Sequence, residues 1–413
     1  MTTKKIGLLI GDENDWPSTF EQLITRLGGK FKYRGREFDI TAERVRIHPF
    51  RLNAPTDYNV VIDRLSYWHF QPREWLKKAA LVNGTYMLNN PFTFQSMEKH
   101  SAYCAMIRLG LNIPETHLIP TKSGPRDEDK DQKYAITATR YHDQFDLAAI
   151  AREIGYPLYM KPFDGGGWRG VTRINNEWDL MQAYDASGRT LMHLQAGLDN
   201  YEVFVRSLAI GPQVGSFKYD PAHPMHDRYV IDHNFLTAEK GREAQIITKV
   251  INAFFRWDFN SCESIIKDGV MWPIDFANAC PDIAITSLHY YYPWALKSLV
   301  AWGIFCTVSE RQMAINMNIQ DYFAIADSDR SYWEKLEAYE KLADAHLQKE
   351  EFTEFRETEL ANLDEVMWNL VRSPEFDQTI VSTVQTTFPR HEWERFIAHF
   401  RGLLWHWAES NPA

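Results

Sequence analysis

Between Tyr156 and Val171 the chain reads YPLYMKPFDGGGWRGV, and no other stretch restricts its fold so tightly. Tyr156 to Met160 has the composition of a short β-strand, Lys161 stands at its end, and Gly165, Gly166, Gly167 and Gly170 follow. A turn this rich in glycine lets the backbone come close to another group and point its N–H donors at it. The lysine precedes the glycines, and GxxxxGK[ST] is absent, so neither a P-loop nor a dinucleotide fingerprint is present. Taken alone, the run also suits a plain hairpin.

The surrounding chain supplies an α/β context. Ile6–Ile10 is an apolar strand closed by GDENDWP, and Ser18–Leu27 has helical spacing. Tyr58–Asp63 and Thr85–Asn89 read as two further buried strands, which predicts a small parallel sheet over residues 1–92. Thr93–Leu109 reads as a helix closed by Gly110, and the charged stretch Thr121–Lys133 as an exposed loop. Leu147, Ile150, Ala151 and Ile154 form an amphipathic helix that Gly155 can end. Beyond residue 310 helical patterns dominate, with Phe396, Phe400, Leu403, Leu404 and Trp407 in one apolar stripe. A bundle packed on the preceding lobes is expected there, with partner binding or homo-oligomerisation as the alternative.

At 413 residues the chain exceeds one core and should form several lobes. The expected domains are 1–92, 93–310 (a lid over 113–195 and a second part over 196–310) and a helical extension over 311–413. A net charge of −10 disfavours a nucleic-acid partner, which demands a basic surface. Cys104, Cys262, Cys280 and Cys306 are widely spaced and read as buried thiols of a reducing cytoplasm. The apolar runs are too short for a signal peptide or a membrane span, so a soluble, cytoplasmic protein is expected. HExxH and GxSxG are absent, and the histidines lack metal-ligand spacing.

Ordered motifs around the glycine turn resemble those of the ATP-grasp superfamily, which includes D-alanine:D-alanine ligase, glutathione synthetase, biotin carboxylase and ribosomal-protein glutamate ligases. The resemblance spans roughly residues 1–290. It implies an ATP-grasp fold in which Lys161 and the DGGGWRGV loop hold the phosphates of ATP, helped by Lys99 of Glu98-Lys99. It further implies that Gln195 and the Leu198 backbone meet adenine and that Glu202 meets the ribose, with Lys218 as a second phosphate lysine. Lys99 also suits a solvated helix, and Glu202 an exposed strand.

For Mg²⁺ the resemblance points to Glu263, Asp275 and Asn278 on two strands joined at Lys267-Asp268-Gly269. The chain departs from the family's E-x-N here: Phe276 takes the acidic position and the carboxylate comes one residue early. Alternation along a regular strand would send Asp275 to the other face unless a bulge or turn near Ala277 intervened. Asp275 also suits an N-cap or turn.

The implied activity is ATP-dependent ligation of a small-molecule or peptide carboxylate to an amine or related nucleophile, through an acylphosphate. Arg169, Arg206, Lys218 and Arg228 would assist the transferring group, and Trp168 and Arg169 would close over it. A kinase of the same fold, or a nucleotide-binding module without turnover, are the other readings.

Overall fold

A computed structural model describes residues 2–93, 98–123, 145–166, 168–279 and 281–412. Gly167, Cys280 and residues 124–133 of the expected loop lie outside the described residues, as do residues 94–97 of the expected helix. The chain divides into two compact units, each discontinuous in sequence. Unit one comprises Met1–Phe94, Val205–Cys262 and Asn278–Ala413, and unit two comprises Gln95–Phe204 and Glu263–Ala277.

Unit one begins with a five-stranded sheet of β1 (Thr2–Leu9), β2 (Lys30–Tyr33), β3 (Arg36–Arg44), β4 (Val60–Asp63) and β5 (Tyr86–Leu88), in the order β2-β3-β1-β4-β5. β1 pairs in parallel with β3 and β4, and β4 with β5. The expected small parallel sheet thus has an antiparallel edge, because β2 joins β3 through the tight turn Arg34-Gly35, both at positive φ (48° and 74°). Helices α1 (Asp15–Arg26) and α2 (Phe70–Asn83) follow β1 and β4.

In unit two, α3 (Lys99–Arg108) leads to a four-stranded antiparallel sheet of β6 (Thr116–Ile119), β7 (Leu158–Pro162), β8 (Thr172–Ile174) and β9 (Met192–Ala196), in the order β6-β9-β7-β8. α4 (Leu147–Ile154) starts where the Asp146 side chain accepts from Ala149 N–H, and stops at Gly155, whose φ is 90°. Together with α5 (Glu177–Ser187), it covers one face of the sheet. Leu147, Ala151 and Leu180 pack there on Ile119, Leu158, Met160, Ile174, Met192 and Leu194. Strand alternation sends the remaining side chains to the opposite face.

β10 (Val203–Ile210), β11 (Gln213–Tyr219) and β12 (Tyr229–Val230) follow; in unit one β11 pairs antiparallel with both Val205–Ile210 and β12. After α6 (Ala238–Phe255) come β13 (Phe259–Lys267) and β14 (Val270–Ala279), which turn in unit two at Asp268-Gly269, both at positive φ (53° and 70°). α7 (Tyr292–Val308) is buried almost all round and forms the centre of unit one. Gly211 (φ 55°) passes so close beneath Trp302 that a Cβ there would lie 2.3 Å from its ring.

The helical extension belongs to unit one and ends in the helix Trp393–Ser410. Phe396, Phe400, Leu404 and Trp407 of its stripe are buried, and Leu403 is half-buried. The α/β class with a helical C-terminal part is therefore present as expected. Two of the cysteines read as buried, Cys262 and Cys306, are so, whereas Cys104 is exposed on the outward face of α3. Among the described residues no helix is long and apolar enough to cross a membrane.

Candidate functional site

The face of the unit-two sheet turned away from α4 and α5 carries polar side chains that α3 and the β13–β14 hairpin meet. In the β7–β9 register Lys161 lies opposite His193 and Tyr159 opposite Gln195, while Thr116 of β6 lies across from Gln195. All five side chains share a face because the period of a strand is two. Lys161 and Gln195 are 9% and 2% exposed, and the lysine Nζ donates to Gln195 Oε1 at 2.7 Å. Gln195 Nε2 donates in turn to Thr116 Oγ1 at 2.8 Å. The amide is thereby fixed in orientation, and its oxygen keeps a second lone pair for another donor.

A second lysine enters from α3. Lys99 is buried at the helix's first turn, and its backbone N–H donates to Phe163 O at 2.9 Å. Its Nζ donates to Gly165 O at 2.5 Å and stands 3.6 Å from Asp275 Oδ2. The glycine turn therefore lies against Lys99: Gly165 has φ 114°, Gly166 has open space at its Cβ position, and Trp168 and Arg169 are exposed. The β13–β14 hairpin contributes Ile274, whose carbonyl accepts from Tyr103 OH at 2.7 Å and faces Lys161 Nζ at 3.4 Å.

Burial pushes the Lys161 ammonium down to about 8; neighbouring Lys99 adds to that fall, while Asp275 and Glu263 oppose it. Its hydrogen bonds go to neutral oxygens, so the charge is solvated without being neutralised. A polyanion would supply what is lacking. Buried cations, a fixed amide and a glycine turn together fit a nucleotide phosphate chain.

The other expected residues are placed as follows. Leu198 is half-buried beyond β9. Glu202 is exposed, and its Oε1 accepts from Gly269 N–H of the hairpin turn at 3.0 Å. Glu263 is buried on β13. In unit one, Arg206 lies over the rings of Tyr219 and Tyr229, and Lys218 pairs with Asp232 at 2.8 Å. Asn278, also in unit one, donates through Nδ2 to Ser261 Oγ at 2.7 Å. β14 runs unbroken to Ala279, so the strand does not turn at Ala277, and Asp275 and Asn278 have separate partners. Phe276 is 1% exposed and meets Tyr103 edge to face.

Among the described residues no group of three or more His, Cys, Asp or Glu side chains is arranged to hold a metal ion. Mg²⁺ carried by a nucleotide needs only one or two carboxylates. Glu263 and Asp275, whose charges both act on Lys161, are the carboxylates on offer for that smaller demand.

Sequence reasoning missed His100, Tyr103, Thr116 and His193. His193 stands two residues before Gln195, so strand alternation alone would have put it on the same face.

No protein-family model matches the chain, and no curated protein matches it in sequence. Among solved structures it is similar to a RimK domain ATP-grasp protein from Sphaerobacter thermophilus, at 14% identity and a TM-score of 0.45, over 67% of this chain and 92% of that one. It is also similar to D-alanine–D-alanine ligase from Bacillus anthracis complexed with ATP, at 12% identity and a TM-score of 0.47, over 74% and 97%. A third is macrocyclase MdnC of Microcystis aeruginosa bound with precursor peptide MdnA, at 11% identity and a TM-score of 0.46, over 74% and 100%.

Proposed function

We propose that the face of the unit-two sheet turned away from α4 and α5 binds ATP and that the chain is an ATP-dependent ligase joining a carboxylate to an amine or related nucleophile through an acylphosphate. The observation that carries this reading is buried Lys161, bonded to Gln195 and backed by Lys99 at the glycine turn. Lys161 and Lys99 would receive the phosphates. Gln195, locked by Thr116, would offer its free lone pair to the base amino group. Leu198 would border the base and Glu202 the ribose, once Glu202 leaves the Gly269 N–H. The glycine turn would exchange its contact with Lys99 for the phosphates, and Arg169 and Trp168 would limit water at the reacting group. Arg206 and Lys218 are the further cations offered for the transferring group. Mg²⁺ would be held by Glu263 and Asp275, with Asn278 as a third ligand only if its amide left Ser261; when bound it neutralises phosphate charge.

The test is ADP release from ATP and Mg²⁺ by the full chain, supplied with a panel of amino-acid and peptide carboxylates with and without amines. Release that depends on both co-substrates is expected; release that none of them stimulates would end the ligase reading. A second reading, nucleotide binding without turnover, is favoured by Phe276, which fills the expected acidic position and packs on Tyr103. ATP would then raise the melting temperature while Mg²⁺ added little.

A further inference from the structure

His193 and His100 form a pair that the proposed reaction does not use. His193 of β9 is 1% exposed and sits opposite Lys161. Its Nε2 lies 3.3 Å from Nδ1 of His100, and the ring planes differ by 10° with centroids 5.5 Å apart. Nearly parallel planes with the nitrogens this close describe two imidazoles set edge to edge and sharing one proton. The far nitrogen of His193, Nδ1, is buried with no hydrogen-bond partner. His100 is half-buried, and its own Nε2 is 3.8 Å from Sγ of the exposed Cys104, so the pair has a route to solvent.

The groups facing His193 are His100, Lys99 and Tyr103 from α3 and Lys161 from β7, with Asp275 and Glu263 of the hairpin acting on Lys161. Burial first, and then His100, Lys99 and Lys161, push the His193 imidazole down to about 4, so without a ligand it is neutral. An unprotonated Nδ1 is the less costly tautomer, since a buried N–H without an acceptor is rarer than a buried lone pair without a donor. A polyphosphate beside the two lysines would reverse the local field, and that field together with the charge-assisted bond then formed between the rings would offset the cost of an unpartnered Nδ1–H.

We propose that the His100–His193 pair takes up a proton from solvent when a nucleotide polyphosphate binds beside Lys99 and Lys161, which links nucleotide affinity to pH through these two imidazoles. The inference rests on reading unit two as a nucleotide site. Its sign follows from linkage: uptake on binding makes affinity rise as pH falls, up to roughly tenfold per pH unit for a whole proton.

The experiment is calorimetric titration of ATP into the full chain near about pH 6, in two buffers of different ionisation enthalpy. Wild type is expected to take up about half a proton or more beyond His193→Gln and His100→Asn; the proton chemistry of ATP itself is common to all three and cancels. Equal uptake in wild type and folded variants overturns the proposal. Should His193→Gln not fold, half-buried His100→Asn and the ring-nitrogen NMR shifts of wild-type His193 decide. Imidazolium shifts appearing with ATP support the pair, and unchanged shifts refute it. Failure of ATP to bind at all would instead remove the nucleotide reading, and the coupling with it.

Discussion

Two buried cations, one in each unit, are treated in opposite ways. In unit one the guanidinium of Arg311 donates to Tyr86 OH at 2.8 Å, and Tyr86 OH donates to Asp258 Oδ2 at 2.5 Å. Trp302 Nε1 also donates to that oxygen, while Gln348 and the His346 carbonyl accept from the rest of the guanidinium. Burial opposes the Arg311 charge, but Tyr86 and Asp258 more than offset this and hold its proton affinity above the usual range. In unit two Lys161 is hydrogen-bonded to neutral oxygens, and its proton affinity falls. A charge linked to its counter-charge through an unbroken chain of hydrogen bonds serves the fold, whereas one left short of counter-charge is held ready for something that arrives later.

Substitutions can break that contrast, and the largest effect belongs to unit one. Asp258→Ala leaves the Arg311 charge without its counter-charge and Tyr86 OH without its acceptor, and should cost about 3–5 kcal/mol in denaturant unfolding of the full chain. A loss below about 1 kcal/mol would mean that the network is incidental to the fold. Lys161→Met should do the reverse. ATP affinity should fall about tenfold to a hundredfold, as expected when a charged hydrogen bond is lost, while the melting temperature holds or rises because a poorly compensated buried charge is gone. A melting temperature that dropped with unchanged ATP affinity would make Lys161 structural.

The smallest effect sharpens the contrast through pH. The Lys161 proton is lost near about 8, so ATP affinity should weaken by roughly tenfold per unit above that value. Lys161→Arg, whose charge does not titrate there, should flatten this limb in a fluorescence titration of ATP. An equally steep limb in the arginine variant would assign the titration to another group.

How far the sequence could be read followed the same division. The strand ending in Lys161 was legible because strand, lysine and glycine run occur in fixed local order, whereas Gln195 came only from the resemblance. The α4 helix was legible from apolar spacing that ended at Gly155. The β2–β3 hairpin was missed, although Phe31, Phe38 and Ile40 are buried and their alternation with charged residues around Arg34-Gly35 is the pattern of a half-buried hairpin. Nor were the partners of His193 and Lys99 legible, since α3 lies far from β9 and the hairpin in sequence. Contacts of that kind have no local signal. Asp275 and Asn278 show the limit of counting residues along a strand. The offset from E-x-N was visible in the sequence, but the commitment of the Asn278 amide to Ser261 was not.

The placement of α7 bears on how the chain is made. Ile6 of β1, Phe20 of α1 and Ile62 of β4 are synthesised well before α7, and all three close on its Gly303, which allows them within van der Waals distance. The N-terminal strands can pair early, but the helix that covers them emerges only after all of unit two has been translated. Until then their apolar side chains face solvent, and a chain released early from the ribosome would present them to its neighbours. Biosynthesis thus exposes the molecule to aggregation at a sheet whose inner strand β4 is fully buried once folding is complete.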